Sequence, residues 1–210
     1  MLPVLFLAIG SYLLGSLPQV YLLGRLRGVD LRQEPDLHIA LWGRARWTAV
    51  LAVLGDLAKG AIPILVGRRA LGLGPEAVAL AGLMVVLGQM WPLPFHSTGG
   101  RGNSTGITMA LTLTPPAFRF ALIPLGLAFL VRLWEGSNSR SLPLGMAVAF
   151  ATLPLASYFS RQPLSITLAL LGVFLAIILR RLTAGLRADL KVASSRKSLF
   201  LNRLLFDRSF

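Results

Sequence analysis

The sequence predicts an all-α integral membrane fold of about seven transmembrane helices, with the N-terminus outside, the C-terminus cytoplasmic and a short fourth helix. Three observations carry this reading. Hydrophobic residues make up 55% of the 210-residue chain and charged residues only 14%, whereas a soluble domain averages about 25% charged. The apolar residues gather in seven runs, most of them close to the roughly 20 residues that cross a bilayer as a helix. Finally, Lys and Arg are distributed asymmetrically between the loops those runs would leave, which sets an orientation. No long polar stretch remains for a soluble domain. One membrane domain is therefore expected over 1–186, followed by a basic amphipathic cytoplasmic tail over 187–210.

The first run, 2–24, has no Lys or Arg before it and no clean small-residue cleavage site after it, so it reads as a first span and not a cleaved leader. The second and third runs are 47–67 and 75–95. The fourth, 103–114, is too short to cross an average bilayer alone. Pro115-Pro116 ends it, because proline lacks a backbone donor and pushes the preceding residue out of the helical region. It is either a half-helix packed inside the bundle or the first part of one kinked span with the fifth run, 117–134. The sixth and seventh runs are 143–159 and 163–180.

With seven crossings, eight loop arginines and the eight Lys/Arg from Arg180 onward share one side, against Arg68, Arg69, Arg119 and Arg161 opposite. Six crossings would erase most of that asymmetry, so the positive-inside rule selects the odd number. Trp47, Trp91 and Trp134 fall near the predicted cytoplasmic ends of spans, where indoles prefer to sit. No internal repeat is visible. Residues 187–210 mix Leu199, Phe200, Leu204, Leu205 and Phe206 with Arg203 and Arg208, a pattern for a short helix lying on the membrane or for a fraying tail.

Composition also excludes chemistry. There are no cysteines, so disulfides, thiolate catalysis and zinc–thiolate sites are ruled out, and two histidines, His38 and His96, do not make a His-rich metal site. The net charge of +13 is read as loop charge meeting anionic lipid and attracting anionic substrates, not as a nucleic-acid surface.

Three polar patches stand out. Gly99-Gly100-Arg101-Gly102-Asn103-Ser104-Thr105-Gly106 follows the third run and opens the fourth. Glycines let backbone N–H groups converge on an anion, a helix N-terminus adds partial positive charge, and Arg101 offers a bidentate partner for phosphate oxygens. Ser104 and Thr105 add hydroxyls. The segment suits a phosphate at the membrane surface, though it is not a nucleotide P-loop. A glycine-rich turn capped by Ser104 or Thr105 is the simpler alternative. Asn103-Ser104-Thr105 is also a glycosylation sequon, disfavoured by its predicted cytoplasmic position. The second patch, Arg32 to Arg46, holds Glu34, Asp36, His38, Arg44 and Arg46. His38 is a candidate general base or phosphate partner; a merely solvated loop is the alternative. The third, Asp56 with Lys59, places two charges on one helix face inside the second run, where they read as a structural ion pair.

At these residues the chain resembles the acylphosphate-dependent glycerol-3-phosphate acyltransferases, the PlsY family. The register begins at Gly15-Ser16-Leu17-Pro18, Tyr21-Leu22-Leu23-Gly24 and Gly28-Val29-Asp30. It continues through Asp56-Leu57-Ala58-Lys59-Gly60, Gly88 to Gly102 with Pro92, and Arg181-Leu182-Thr183-Ala184-Gly185. The resemblance implies seven helices with a cytoplasmic-side site in the bacterial inner membrane. It implies transfer of a fatty acyl group from acyl phosphate to the 1-hydroxyl of glycerol 3-phosphate, giving lysophosphatidate and inorganic phosphate, with no metal or nucleotide cofactor. Arg101, Ser104 and His38 would then be catalytic. Gly99, Gly100, Gly102, Thr105, Arg44 and Arg46 would bind phosphate.

The sequence departs from the family's pattern at several positions. Its first motif, Ser-Gly-Asn-Ile-Gly, is matched here by Asp36-Leu37-His38-Ile39-Ala40, with a gap after it. The family's second-motif histidine is Gln89 and its lysine Arg101. Its third-motif histidine and asparagine fall at Leu175 and Ile178. Two further readings follow. One is a catalytically impaired or re-purposed paralogue that binds a phospholipid or a membrane partner. The other is a small-solute transporter, which the lack of an inverted repeat disfavours.

Overall fold

Each of the seven apolar runs is built on helix in the computed structural model, which describes residues 1–29, 31, 37–93, 99–135, 141–192 and 195–207. The helices are α1 (Leu2–Ser16), α2 (Gln19–Leu26), α3 (Leu37–Arg44), α4 (Arg46–Leu65), α5 (Pro75–Met90), α6 (Asn103–Leu113), α7 (Pro115–Glu135), α8 (Ser141–Phe159), α9 (Leu164–Thr183), α10 (Leu186–Val192) and α11 (Arg196–Phe206). A π-helical turn, Val66–Ala70, extends α4. Among the described residues, four helices are long and apolar enough to cross a membrane: α4 with its π turn, α7, α8 and α9. The bent pair of α1 and α2 makes a fifth if it is one span, and α5 is shorter.

The run 2–24 is therefore not one straight helix. Leu17 is extended (φ −63°, ψ 119°), as expected of a residue before proline, and the chain bends by 44°. Likewise α6 stops at Leu113 and α7 restarts at Pro115, so the fourth and fifth runs are separate helices interrupted at Thr114.

The chain forms two compact units, Met1–Leu113 and Thr114–Phe210. In the first, α1 runs along α5 and α4 along α6. Small residues let the backbones approach, as is usual where apolar helices pack without help from water. A Cβ on Gly15 would strike the Val85 carbonyl, one on Gly88 the Tyr12 carbonyl, and one on Gly60 the Thr105 carbonyl. Ile64, Val78, Val85, Val86, Met90, Met109 and Leu113 fill the interior. A smaller cluster of Val20, Leu31, Leu41, Ala49 and Ala52 ties α2 and α3 to the first half of α4. At the far end of α6, the Arg68 guanidinium donates to the carbonyls of Thr112 (2.9 Å) and Leu113 (2.5 Å). It caps carbonyls that a helix end leaves without partners.

In the second unit α8 packs against both α7 and α9. Gly145 sits against Ala128 and the Pro124 carbonyl, Ser141 Oγ donates to the Ala128 carbonyl (2.9 Å), and the Ser157 and Thr167 hydroxyls pair at 2.9 Å. The tail segment over 187–210 contains all but the first residue of α10 and all of α11, and α11 packs on α8 and α9. Two buried arginines make that contact. Arg181 of α9 donates to the carbonyls of Leu204 (3.1 Å) and Pro143 (3.0 Å). Arg203 of α11 donates to the carbonyls of Arg181 (3.3 Å) and Ala184 and pairs with Asp189 at 3.1 Å. Each helix thus supplies the cap for the other's C-terminal carbonyls.

Candidate active site

The glycine-rich segment is held on the last turn of α5. The Gly100 N–H donates to the Gln89 carbonyl at 2.9 Å. A Cβ on Gly99 would strike the Met90 carbonyl, so only glycine lets the strand pass there. Gly102 has φ +74°, a left-handed conformation that costs other residues, and its carbonyl accepts the Gly106 N–H at 2.8 Å. That turn sends the chain into α6 at Asn103, leaving Arg101 exposed at the helix mouth.

Below the loop lies a buried polar network. Thr105, fully buried, places its hydroxyl 2.9 Å from the Asp56 backbone carbonyl and in contact with Gln89 Oε1. A hydroxyl has one proton, so these two acceptors compete for it unless the Gln89 amide turns to present its nitrogen. Gln19 Nε2 donates to Asp56 Oδ1 (2.9 Å) and to the Ala52 carbonyl (2.6 Å). Lys59 Nζ donates to the Leu17 carbonyl at 2.6 Å and lies 3.5 Å from Asp56 Oδ1, with both charged side chains buried. The expected pair of Asp56 and Lys59 is present, and it is wider than a pair. Lys59 satisfies a carbonyl at the proline break between α1 and α2, and Asp56 anchors Gln19 at the start of α2. Alongside, the Tyr12 hydroxyl donates to the Trp91 carbonyl, fastening α1 to the end of α5.

The register of α4 on α6 orients the rest. Asp56 meets Thr105, and Gly60 meets Thr105 and Met109, so the two helices run parallel and their N-termini point to one end of this unit. Arg46 opens α4 and Arg44 closes α3 two residues earlier, both exposed. Along α4, Arg46 lies roughly 15 Å from Asp56 toward that end at 1.5 Å per helical residue, and Arg101 precedes the first residue of α6. Two positive helix ends and three arginines therefore share one end, an arrangement suited to an anion.

Of the predicted site residues, Gly99, Gly100, Arg101, Gly102 and Ser104 lie in or directly after the loop. Thr105 differs from expectation: its hydroxyl is turned inward and holds α6 to α4 and α5. His38 belongs to α3, but its side chain lies outside the described residues, as do Asp36, His96 and the structure of 32–36. Leu175 is 56% exposed on α9 and Ile178 half-buried. Sequence reasoning missed Gln19, Tyr12 and the inward role of Gln89. The available signal was a polar side chain just after Pro18 in an otherwise apolar run, which usually has a partner or a task. Among the described residues of the second unit there are open clefts. One is lined by Arg119, Phe120 and Phe159 among others, another by Tyr158, Arg161 and Gln162; neither includes a predicted site residue.

Residues 5–186 match the family model for glycerol-3-phosphate acyltransferase. The chain belongs to the glycerol-3-phosphate acyltransferase family. It is thereby one of the membrane acyltransferases of phospholipid synthesis. Among its relatives, the glycerol-3-phosphate acyltransferase of Rubrobacter xylanophilus is 36% identical, over 78% of this chain and 80% of its own. That of Pseudomonas paraeruginosa is 38% identical, over 88% of this chain and 94% of its own. Glycerol-3-phosphate acyltransferase 5 of Dehalococcoides mccartyi is 33% identical over 97% of this chain and 88% of its own. Two crystal structures of PlsY, an integral membrane glycerol 3-phosphate acyltransferase, share the fold. The glycerol 3-phosphate form superposes with TM-score 0.72 at 25% identity and the lysophosphatidic acid form with 0.71 at 26%, each over 90% of this chain and over 90% and 93% of their own. The resemblance read from the glycine-rich and Asp56–Gly60 segments is thereby shown.

Proposed function

We propose that this family member moves a fatty acyl group from acyl phosphate to glycerol 3-phosphate, yielding lysophosphatidate and inorganic phosphate. The observation that carries the reading is the Gly99–Gly102 loop fixed on α5, with exposed Arg101 at the N-terminus of α6 and Arg44 and Arg46 at the same end of the unit. In this reading the backbone N–H groups of Gly99, Gly100 and Gly102, with Arg101 and Ser104, hold phosphate oxygens. Arg44 and Arg46 attract the anionic substrates, and His38 on α3 assists the acceptor hydroxyl. That hydroxyl oxygen bonds to the acyl carbon, the bond from that carbon to the phosphate oxygen breaks, and the hydroxyl proton passes to the base or to the departing phosphate. Thr105, Asp56, Lys59, Gln19 and Gln89 keep the loop in place beneath. The chain would cross the inner membrane seven times, N-terminus outside and C-terminus cytoplasmic, as the positive-inside asymmetry supports, with the loop facing the cytoplasm.

A second reading, an impaired or re-purposed paralogue, draws on Leu175 and Ile178, apolar side chains that neither donate nor accept. One assay separates the two: purified protein with palmitoyl phosphate and labelled glycerol 3-phosphate, beside Arg101→Ala. The expected outcome is lysophosphatidate formation that falls roughly 100-fold or more in the variant, as when a transition-state donor is lost. A folded protein that makes no product, beside an active relative, would overturn the enzyme reading in favour of the paralogue.

A further inference from the structure

The family model stops at residue 186, and α11 lies beyond it. This helix is fastened to the end of α9 by the exchange between Arg181 and Arg203. Its inward face carries Leu199 and Arg203, both buried. The rest of its surface is not uniformly polar, as a water-facing helix would require: Phe200 on the flank and Leu201 and Leu205 opposite are 40%, 48% and 38% exposed, beside exposed Lys197 and Ser198. Its first turn holds Arg196 and Lys197, both exposed. Cations there oppose the positive end of the helix dipole, so they weaken the helix and gain nothing locally. Exposed apolar side chains with bases in the first turn are the pattern of a helix lying in a lipid interface. Its place in the fold agrees, because α9 is long and apolar enough to cross the bilayer and α11 is docked where α9 ends in Arg180 and Arg181.

We propose that α11 is an interfacial helix whose Phe200, Leu201 and Leu205 enter the membrane surface while Arg196 and Lys197 engage anionic lipid headgroups. The occupant of this face is the host bilayer. Acidic headgroups supply the countercharge that two bases at a helix N-terminus lack. The inference does not depend on the acyl-transfer reading.

The natural chain contains no cysteine, so Leu201→Cys carries a single fluorescent label at a defined place, and Leu205→Cys repeats the measurement one turn on. The full-length labelled protein is placed in nanodiscs of phosphatidylcholine, with and without phosphatidylglycerol. It is then challenged with nitroxide-bearing lipid or with soluble iodide. The expected result is quenching by the lipid nitroxide and shielding from iodide, with lipid quenching roughly twofold or more stronger when phosphatidylglycerol is present. Adding Arg196→Gln and Lys197→Gln should abolish that increment. A label reached by iodide and not by lipid, a label shielded from both because protein covers it, or equal quenching in the two lipid compositions would overturn the proposal.

Discussion

At the scale of single residues, the glycines divide into those that permit contact and those that merely occupy helix. A methyl group on Gly88 would overlap the Tyr12 carbonyl, whereas one on Gly126 would meet nothing within 4 Å. Gly88→Ala is expected to lower stability by about 1–3 kcal/mol through overpacking. Gly126→Ala, in the interior of α7, should raise it by up to about 1 kcal/mol through helix propensity and reduced unfolded-state freedom. Thermal unfolding of the two variants in one detergent compares them directly. Thr105→Val is expected to cost about 1–3 kcal/mol by leaving buried polar partners unmet, while Thr105→Ser should recover most of it. Equal stability of the two Thr105 variants would remove the strut role assigned to this hydroxyl. Residue identities made part of this legible in advance: a run of three glycines and an arginine between apolar segments has few uses, and Asp56 and Lys59 at i, i+3 have an obvious partner in each other. The direction in which Thr105 points was not legible. Both its alternatives, an anion above or a carbonyl below, suit a hydroxyl, and only the parallel packing of α4 and α6 selects the second.

At the scale of elements, breaks matter as much as helices. The proline break between α1 and α2 exposes the Leu17 carbonyl inside an apolar unit, and Lys59 answers it. Replacing Lys59 alone by Met should therefore be severe, about 3–5 kcal/mol, because it removes the countercharge of a buried carboxylate. Replacing Asp56 by Leu at the same time should cost less than the sum of the two single changes. A double-mutant cycle on thermal unfolding measures the coupling, and strict additivity would mean the two charges do not act as a unit. At the other end of α6, Arg68→Ala should free the Thr112 and Leu113 carbonyls and speed amide exchange over the last turn of that helix, leaving exchange in α9 unchanged. Periodicity and length located all seven apolar runs, because each must bury its backbone bonds within itself in a lipid setting. They could not show the bend at Leu17, since an apolar stretch looks the same whether straight or broken, and Pro18 alone admits a kink as readily as a stop.

At the scale of the whole molecule, composition was enough for the membrane class and the family register for the fold. The two-unit division at residue 113 was not visible, because hydropathy says nothing about which helices pack together. Nor was the docking of the tail, which rests on two arginines that in sequence look like more positive-inside charge. Removing residues 187–210 is expected to leave Arg181 without its Leu204 partner and α9 without its Arg203 cap. The truncated chain should unfold at a lower temperature and be cleaved faster near residue 184 by an added protease. Unchanged melting and cleavage would mean the exchange contributes nothing to stability.

The reciprocal capping of α9 and α11 also sets an order of events. Arg203 is separated from the Arg181 carbonyl it serves by 22 residues, which a ribosome adds in about 1–4 s. During that interval the end of α9 must keep its carbonyls wet. The second unit therefore cannot reach its final form until Arg203 has been added and has met the end of α9.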